Sequence, residues 1–376
     1  MKRKLNLVLQ IILLMASATR SVFADTYSGG IGEPNDPYRI ATAEDLNDIG
    51  NHVEDFNKCF VMVADINLES YTGNQFNIIG DDSNAFAGVF DGNSHTISNF
   101  THTDSIDDYV GLFGITSSSS EIKNVGLINP IVYGAGYVGG LVGYNNGIIV
   151  NSYLNSPETY SRIFGTNYVG GLVGWNNGTI SNSHYSLGTG QKVTGINYRA
   201  GGLVGFNTGT INNSYALVNV YVYYYAGGLV GYNEGIISNS YAISNVSGGD
   251  GVTGGLVGCN NEGTISNSYS ISTVSGNIDI GGLVGGNFGN ILNSYTISNV
   301  IGESYIGGLV GYNHVSGTCT NSFWNTDLFP TSSCGEGKTT AEMQTLSTFV
   351  SAGWDFGTPI WVYYTNGYPR LAWEPT

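Results

Sequence analysis

The sequence predicts an all-β fold, a right-handed parallel β-helix (β-solenoid) of about nine coils with a capping segment at each end. First, the nine-residue sequence at 139–147, GGLVGYNNG, returns six more times with small changes, at steps of 26 to 31 residues. The later copies start at Gly170, Gly201, Gly227, Gly254, Gly281 and Gly307. Second, Gly and Asn divide each copy into strand-length runs of Leu, Val, Ile, Ser and Tyr. A unit of this length cannot bury its apolar face alone, so the units are expected to stack.

Each repeat is expected to contribute three short strands to the stack. In the copy at 227–253 these strands lie near 229–230, 236–241 and 242–246. No window shows the spacing of a sustained helix. The copies of 31 residues need no extra strand, because a surplus such as 156–165 fits an outward loop.

One Asn recurs in every copy and predicts an internal ladder. In an in-register parallel stack identical residues lie above one another, and an amide offers both donors and an acceptor to its neighbours. The predicted ladder consists of Asn145, Asn176, Asn207, Asn233, Asn260, Asn287 and Asn313. A second column would hold Tyr153, Tyr215, Tyr241, Tyr269 and Tyr295, with His184 in place of one Tyr. The alternative, that these Asn residues bind sugar or metal, is less favoured because a binding residue need not recur in every coil.

The amino terminus has the pattern of a secretory signal peptide at 1–24. Lys2, Arg3 and Lys4 precede a mostly apolar run at 5–15, and Ala24 ends a small-residue cleavage pattern. The apolar run is too short to span a bilayer, and no later stretch approaches about 20 apolar residues. The sequence therefore predicts a secreted or cell-surface protein whose mature chain is soluble and has no transmembrane segment.

The charge balance bears on the partners. The formal net charge is −16, and without residues 1–24 eight basic residues face 28 acidic ones, giving −20. Such a chain is not expected to bind nucleic acid or anionic lipid. The four cysteines are too few for a disulfide scaffold. Export permits a bond between Cys319 and Cys334, and the sequence leaves that pairing open.

The repeats divide the chain into four parts. After the signal peptide, an N-terminal cap is expected at 25–86, with a helix from 43 to about 53 started by Thr42 and a strand at 59–66. The solenoid of repeats is predicted at 87–323. A C-terminal aromatic cap at 324–376, with a helix starting near Thr340, is expected to cover the last coil.

The repeat resembles a known motif. The run at 201–215, GGLVGFNTGTINNSY, is similar to the GLUG motif. That motif occurs in bacterial secreted and surface proteins, including adhesin-like proteins and the non-catalytic region of IgA-specific metallopeptidases. The resemblance covers 139–323 strongly and 88–124 weakly. It implies a non-enzymatic extracellular role in adhesion or in binding a glycan or protein ligand.

The sequence offers little support for catalysis. The five His residues form no His-Glu-x-x-His zinc site. Parallel β-helices also host polysaccharide lyases and glycosidases, which makes a carbohydrate-active enzyme the alternative function. Such enzymes need convergent acids and bases. The acidic and basic residues in the stretch 131–323 are few, namely Glu158, Glu234, Asp250, Glu262, Asp279, Glu303, Arg162, Lys192 and Arg199. No catalytic residue and no cofactor is therefore predicted.

Two acidic clusters leave calcium open as a ligand. They are Asp81 with Asp82, and Asp104 with Asp107 and Asp108. Calcium takes several oxygen ligands, but this spacing matches no defined calcium loop.

One repeat carries an unusual run of tyrosines. If 218–225 is a single strand, the valines at 218, 220 and 222 face the core, and the tyrosines at 221, 223 and 225 face outward. Tyr221, Tyr223 and Tyr225 are thus predicted ligand-binding residues, suited to stack on a sugar or to contact a protein. The alternative, that the rings pack between neighbouring coils, stays open.

Overall fold

The computed structural model describes residues 27–156, 162–187 and 192–374. The predicted signal peptide and the centre of the predicted outward loop, 157–161, lie outside the described residues. The described chain forms a parallel β-solenoid of about nine coils, which confirms the predicted fold class.

Four sheets run along the solenoid, and their strands pair in parallel register. Sheet 1 has the strands Tyr38–Ile40, Cys59–Met62, Val89–Asp91, Glu121–Lys123, Ile148–Val150, Thr179–Ser181, Thr210–Asn212, Ile236–Ser238, Thr264–Ser266, Asn290–Leu292 and Thr318–Thr320. Sheet 2 has Ile66–Asn67, Thr96–Ser98, Thr101–His102, Gly126–Ile128, Ile131–Gly134, Tyr153–Ser156, Arg162–Gly165, His184–Leu187, Lys192–Gly195, Tyr215–Leu217, Asn219–Val222, Tyr241–Gly248, Tyr269–Ser275, Tyr295–Thr296, Asn299–Ile301, Phe323–Asn325 and Glu336–Lys338.

Sheets 3 and 4 are shorter and cover the remaining faces. Sheet 3 has Val138–Gly139, Val169–Gly170, Arg199–Gly201, Tyr225–Gly227, Thr253–Gly254, Ile278–Gly281 and Ser304–Gly307. Sheet 4 has Phe113–Ile115, Val142–Asn145, Val173–Asn176, Val204–Asn207, Val230–Asn233, Val257–Asn260, Val284–Asn287 and Val310–Asn313.

Each full coil therefore has at least four strands, and the prediction of three was wrong. In the coil at 225–248 the additional strand is Tyr225–Gly227. It is separate from Val230–Asn233 because the chain bends sharply at the Gly pair, where a side chain on Gly227 would overlap the Val230 carbonyl oxygen. Only glycine permits so close an approach.

The core is a set of columns, one residue per coil. The Leu of every GGLVG sequence is fully buried, as are the Val after it and the Ile of sheet 1 in each of these coils through Ile291. Because identical side chains stack along the axis, each coil covers the apolar face of the next.

A left-handed Asn turns the chain between sheets 1 and 2. The Asn of each Asn-Ser-aromatic triplet has φ between 45° and 50°, a conformation that Asn tolerates better than most residues. The Ser that follows is buried and makes a second polar ladder. For example, Ser183 accepts from the Ser152 amide at 3.2 Å, and its hydroxyl donates to the Ser181 carbonyl at 2.8 Å.

The N-terminal segment contains the predicted helix, at Ala43–Ile49, with Thr42 and Asp45 forming the capping box. The helix ends before residue 53, and a 3₁₀ turn at Val53–Asp55 follows. The strands Tyr38–Ile40 and Cys59–Met62 already belong to sheet 1. Parallel stacking thus begins before residue 87, within the segment assigned to the cap.

The C-terminal segment follows a disulfide between Cys319 and Cys334, whose Cα atoms are 5.9 Å apart. Its elements are the helices Thr340–Met343 and Leu346–Ser351 and an antiparallel pair of strands, Trp361–Val362 and Arg370–Leu371. Thr339 caps the first helix, as the sequence predicts.

Candidate functional site

The recurrent Asn residues form one chain of hydrogen bonds inside the solenoid. From Asn145 to Asn313, each Nδ2 donates to the Oδ1 of the next Asn at 2.8–2.9 Å. Each of these donors also binds the carbonyl oxygen of a nearby Gly, as Asn145 does with Gly147 at 3.1 Å. Six of the seven side chains, all but Asn313, have no exposed surface. These six therefore support the fold and are inaccessible to sugar or metal.

The aromatic column of sheet 2 stands on the outer surface and is continuous. Ring centroids lie 4.4–5.2 Å apart from Tyr153 through His184 to Tyr295, with planes within 13° of parallel. Phe323 continues the column in register with Tyr295. These seven rings are called the ring ladder below.

The C-terminal segment covers one half of the ring ladder. Its residues Met343, Phe349, Trp354, Trp361 and Leu371 pack on Tyr241, Tyr269, Tyr295 and Phe323. Hydrogen bonds fix this contact, since Trp373 Nε1 donates to the Asn239 carbonyl at 3.0 Å and the Tyr295 hydroxyl donates to the Pro369 carbonyl at 2.6 Å. The expectation that this segment covers the last coil was incomplete, because it extends along the flank of sheet 2 as far as residue 239.

A groove of 830 Å³ lies where this cover ends, and it is called the flank groove below. Its floor combines ladder rings with an outward-facing apolar column, and its wall is the C-terminal segment. The floor residues are Tyr215, Tyr241, Tyr269, Tyr295, Leu217, Ile243 and Ile271, with Ser186 at one end, and the wall residues are Tyr364, Gly367, Tyr368, Arg370 and Glu374. A concave, mostly apolar surface with a few polar groups is typical of a ligand site.

Two charged residues give the flank groove its polarity. Glu374 accepts from the Tyr269 hydroxyl at 3.0 Å and from the Leu371 amide, and burial raises the pKa of its carboxyl. Arg370 makes no ion pair within the described residues. Its guanidinium, which has no ion-pair partner among those residues, remains available to a ligand's oxygen atoms.

Burial lowers the pKa of the His184 imidazole to about 4, and this gives the ring ladder a pH dependence. The unfolded chain, with a pKa near 6.5, then binds more protons than the folded chain between about pH 4 and 6.5. Stability is expected to fall as the pH drops through that interval, by on the order of 2 kcal/mol at pH 4. Melting curves of wild type and His184→Tyr between pH 4 and 7.5 test this, and equal pH dependence in both proteins would contradict it.

The three predicted ligand-binding tyrosines do not form one comb. Tyr221 and Tyr223 are exposed, by 40% and 43%, but Tyr225 is half-buried and packs edge-on against Tyr232 with centroids 5.1 Å apart. The strand Asn219–Val222 ends before Tyr223, and Tyr225 begins a strand of sheet 3. The chain turns a corner between these two strands, and the alternation of inward and outward side chains is lost there. The prediction of a single strand at 218–225 was therefore wrong.

The acidic clusters are engaged in local hydrogen bonds. Asp81 Oδ1 accepts the backbone amides of Ser83 and Asn84, and Asp107 bonds His102 at 3.0 Å. Within the described residues no three His, Cys, Asp or Glu side chains converge as metal ligands. Calcium binding by these clusters stays a prediction.

The sequence of two coils matches a known family. Residues 196–221 and 222–247 each match the GLUG motif. The chain carries GLUG repeats. A protein of Evansella cellulosilytica described as a candidate Gly-rich membrane protein is 36% identical over 144 residues, which are 36% of this chain. Halomucin of Haloquadratum walsbyi is 37% identical over 131 residues, or 32% of this chain. This chain spans 16% and 1% of the lengths of those two relatives.

Among solved structures, one similar chain comes from Bacteroides ovatus and is described as a candidate immunoglobulin A1 protease. The two chains are 21% identical, and their superposition has a TM-score of 0.47 and covers 93% of this GLUG-repeat chain and 96% of the other chain. In the described part of the GLUG-repeat chain, every helix is too short or too polar to cross a bilayer.

Proposed function

We propose that this GLUG-repeat chain is a non-enzymatic secreted or cell-surface protein that binds an extended extracellular glycan in the flank groove. The observation that carries the proposal is the half-covered ring ladder. The C-terminal segment buries four of its rings and leaves Tyr215, His184 and Tyr153 only half-buried, in line with the groove. An extended ligand could therefore continue from the groove along the uncovered rings.

The chemistry of the groove suits a carbohydrate. Tyr rings offer an apolar surface and a hydroxyl at low entropic cost. The apolar column of Leu217, Ile243 and Ile271 can cover the C–H faces of sugar rings, while Arg370 and Glu374 offer a donor and an acceptor. The ladder repeats its aromatic ring once per coil, as an extended glycan repeats its sugars.

Binding fits the groove better than hydrolysis does. Glycosidases of the usual kind place two carboxyl groups on either side of the bond that breaks. Among the described residues, one carboxylate lines the flank groove, that of Glu374, and both of its oxygens accept hydrogen bonds from the protein. A surface location agrees with the relative described as a membrane protein and with the predicted export signal.

An array of glycans and matrix proteins, probed with the full chain, tests the function. We expect the wild type to retain an oligosaccharide, and Tyr364→Ala combined with Arg370→Gln to bind it at least about tenfold more weakly, a loss of about 1.4 kcal/mol. Tyr364 is 49% exposed on the groove wall. Tyr305→Ala is the matched control, because Tyr305 is 65% exposed elsewhere on the solenoid.

Three results would contradict the proposal. Equal losses in the control would show that the groove is not the site. Retention of matrix proteins alone would point to a protein ligand. Release of reducing sugar or unsaturated product from a polysaccharide panel would favour the enzyme.

A further inference from the structure

Two cations lie side by side on the outer face of sheet 2, away from the flank groove. Arg162 and Lys192 are register partners in the neighbouring strands Arg162–Gly165 and Lys192–Gly195, and both side chains are exposed. Like charges directly opposite each other on adjacent strands destabilise a sheet. The stacking of the coils therefore gives no reason for this pair.

Among the residues that the structure describes, neither cation has an acidic partner, although the chain is rich in acids. Of the eight basic residues in the described chain, four pair with carboxylates, namely Arg39, Lys58, Lys123 and Lys338. Arg162 and Lys192 form no ion pair with any described residue. With 28 acidic residues against 12 basic ones, a shortage of acids does not explain this.

Aromatic rings flank the two cations. The Lys192 ammonium lies 5.3 Å from the centroid of the Tyr221 ring, and Tyr133 packs edge-on against Phe164 at 5.5 Å. A depression of 310 Å³ lies between the two cations and the Tyr133 and Phe164 rings, and Tyr221 stands beside it next to Lys192. It is lined by Tyr133, Arg162, Ile163, Phe164, Lys192 and Thr194, and is called the basic depression below.

We propose that the basic depression binds an acidic polysaccharide. Arg162 and Lys192 would pair with carboxylate or sulfate groups of the ligand, and a charged partner makes such hydrogen bonds stronger than neutral ones. Tyr133, Phe164 and Tyr221 would hold the sugar rings. The two cations stand one strand apart, about 4.8 Å, so they can meet neighbouring groups of one extended chain.

The negative net charge of the protein does not oppose this site. At physiological salt, exposed charges are largely screened beyond about 8 Å. None of the described residues that line the basic depression carries a carboxylate. Binding is therefore local and is expected to weaken as salt is added. The depression shares no lining residue with the flank groove, so the two sites can be tested separately.

The test uses the full chain and three carbohydrate probes in calorimetric titrations. Oligogalacturonate supplies carboxylates, dextran sulfate supplies sulfates, and cellohexaose is neutral. We expect at least one polyanion to bind the wild type and to bind Arg162→Gln combined with Lys192→Gln about tenfold more weakly or worse. Arg39→Gln combined with Lys58→Gln changes the net charge equally, at cations that already have carboxylate partners, and should leave that affinity unchanged.

Absence of binding of both polyanions to the wild type would overturn the inference. So would an equal loss in the Arg39 and Lys58 variant, since the effect would then depend on net charge alone. The groove variant, Tyr364→Ala with Arg370→Gln, is expected to keep its affinity for the polyanion. Loss of polyanion binding in that variant alone would assign the ligand to the flank groove.

Discussion

Replacing Asn176 with Ala is expected to destabilise the solenoid by about 4 kcal/mol. The Asn176 amide donates to Asn207 Oδ1 at 2.8 Å and to the Gly178 carbonyl at 3.2 Å, and its Oδ1 accepts from Asn145 at 2.8 Å. Asn145 and Asn207 are fully buried and Gly178 is partly buried, so truncation leaves the two Asn side chains without a replacement partner. Each buried group left unsatisfied costs about 1–3 kcal/mol.

The adjacent residue is the control. Asn177 is exposed and bonds Asn146 Oδ1 at 3.0 Å, on the outside of the same turn. Asn177→Ala should change stability by no more than about 0.5 kcal/mol. Urea unfolding followed by circular dichroism compares the two variants. Hydrogen exchange of Val173–Asn176 would reveal local opening, because repeat proteins need not unfold in one step. Similar losses in both variants would mean that the inner ladder has no special role.

Gly281→Ala is expected to cost about 3 kcal/mol or more. A side chain at Gly281 would overlap the Val284 carbonyl oxygen and crowd the Gly311 amide, and backbone atoms cannot turn aside as a flexible side chain can. The fully buried Leu283 and Val284 would shift with the backbone. The disturbance would reach the coils on both sides.

Gly286, five residues later, provides a matched control in the same coil. A Cβ at this position would have Val252 Cγ1 as its nearest neighbour, at 3.3 Å, and the register partners in the two adjacent coils are Cys259 and Tyr312. Gly286→Ala should be nearly neutral in a thermal melt. If Gly281→Ala melted at the wild-type temperature, the steric account of the GGLVG turn would be incorrect.

The repeat made much of the fold predictable. Because the same Asn and the same Leu return in every copy, only one strand register places identical residues above one another. The inner Asn ladder and the core columns follow from that register. The fourth strand was missed because a strand as short as Tyr225–Gly227 shows no periodic pattern in the sequence. The tyrosine run led to a wrong strand prediction because the chain turns a corner at Tyr223 and Tyr224. The equivalent corner of the next coil has the turn-forming sequence Gly-Asp-Gly at 249–251.

The flank groove was harder to foresee. The tryptophans at 354, 361 and 373 indicate that the C-terminal segment buries apolar area, but their spacing does not show which surface they cover. A signal was present on sheet 2, where Leu217, Ile243 and Ile271 occupy outward positions that a solvent-facing strand would fill with polar residues. Outward apolar residues repeated in successive coils mark a face that something else covers.

Hydrogen exchange with and without the oligosaccharide retained on the array tests the central claim most directly. If that glycan lies in the flank groove, amides of Tyr215–Leu217 and of the C-terminal strand Arg370–Leu371 should both exchange more slowly in its presence. The Tyr364→Ala and Arg370→Gln variant should lose that protection while Tyr305→Ala keeps it. Protection confined to other coils, with these two strands unchanged, would contradict the assignment of the groove as the binding site.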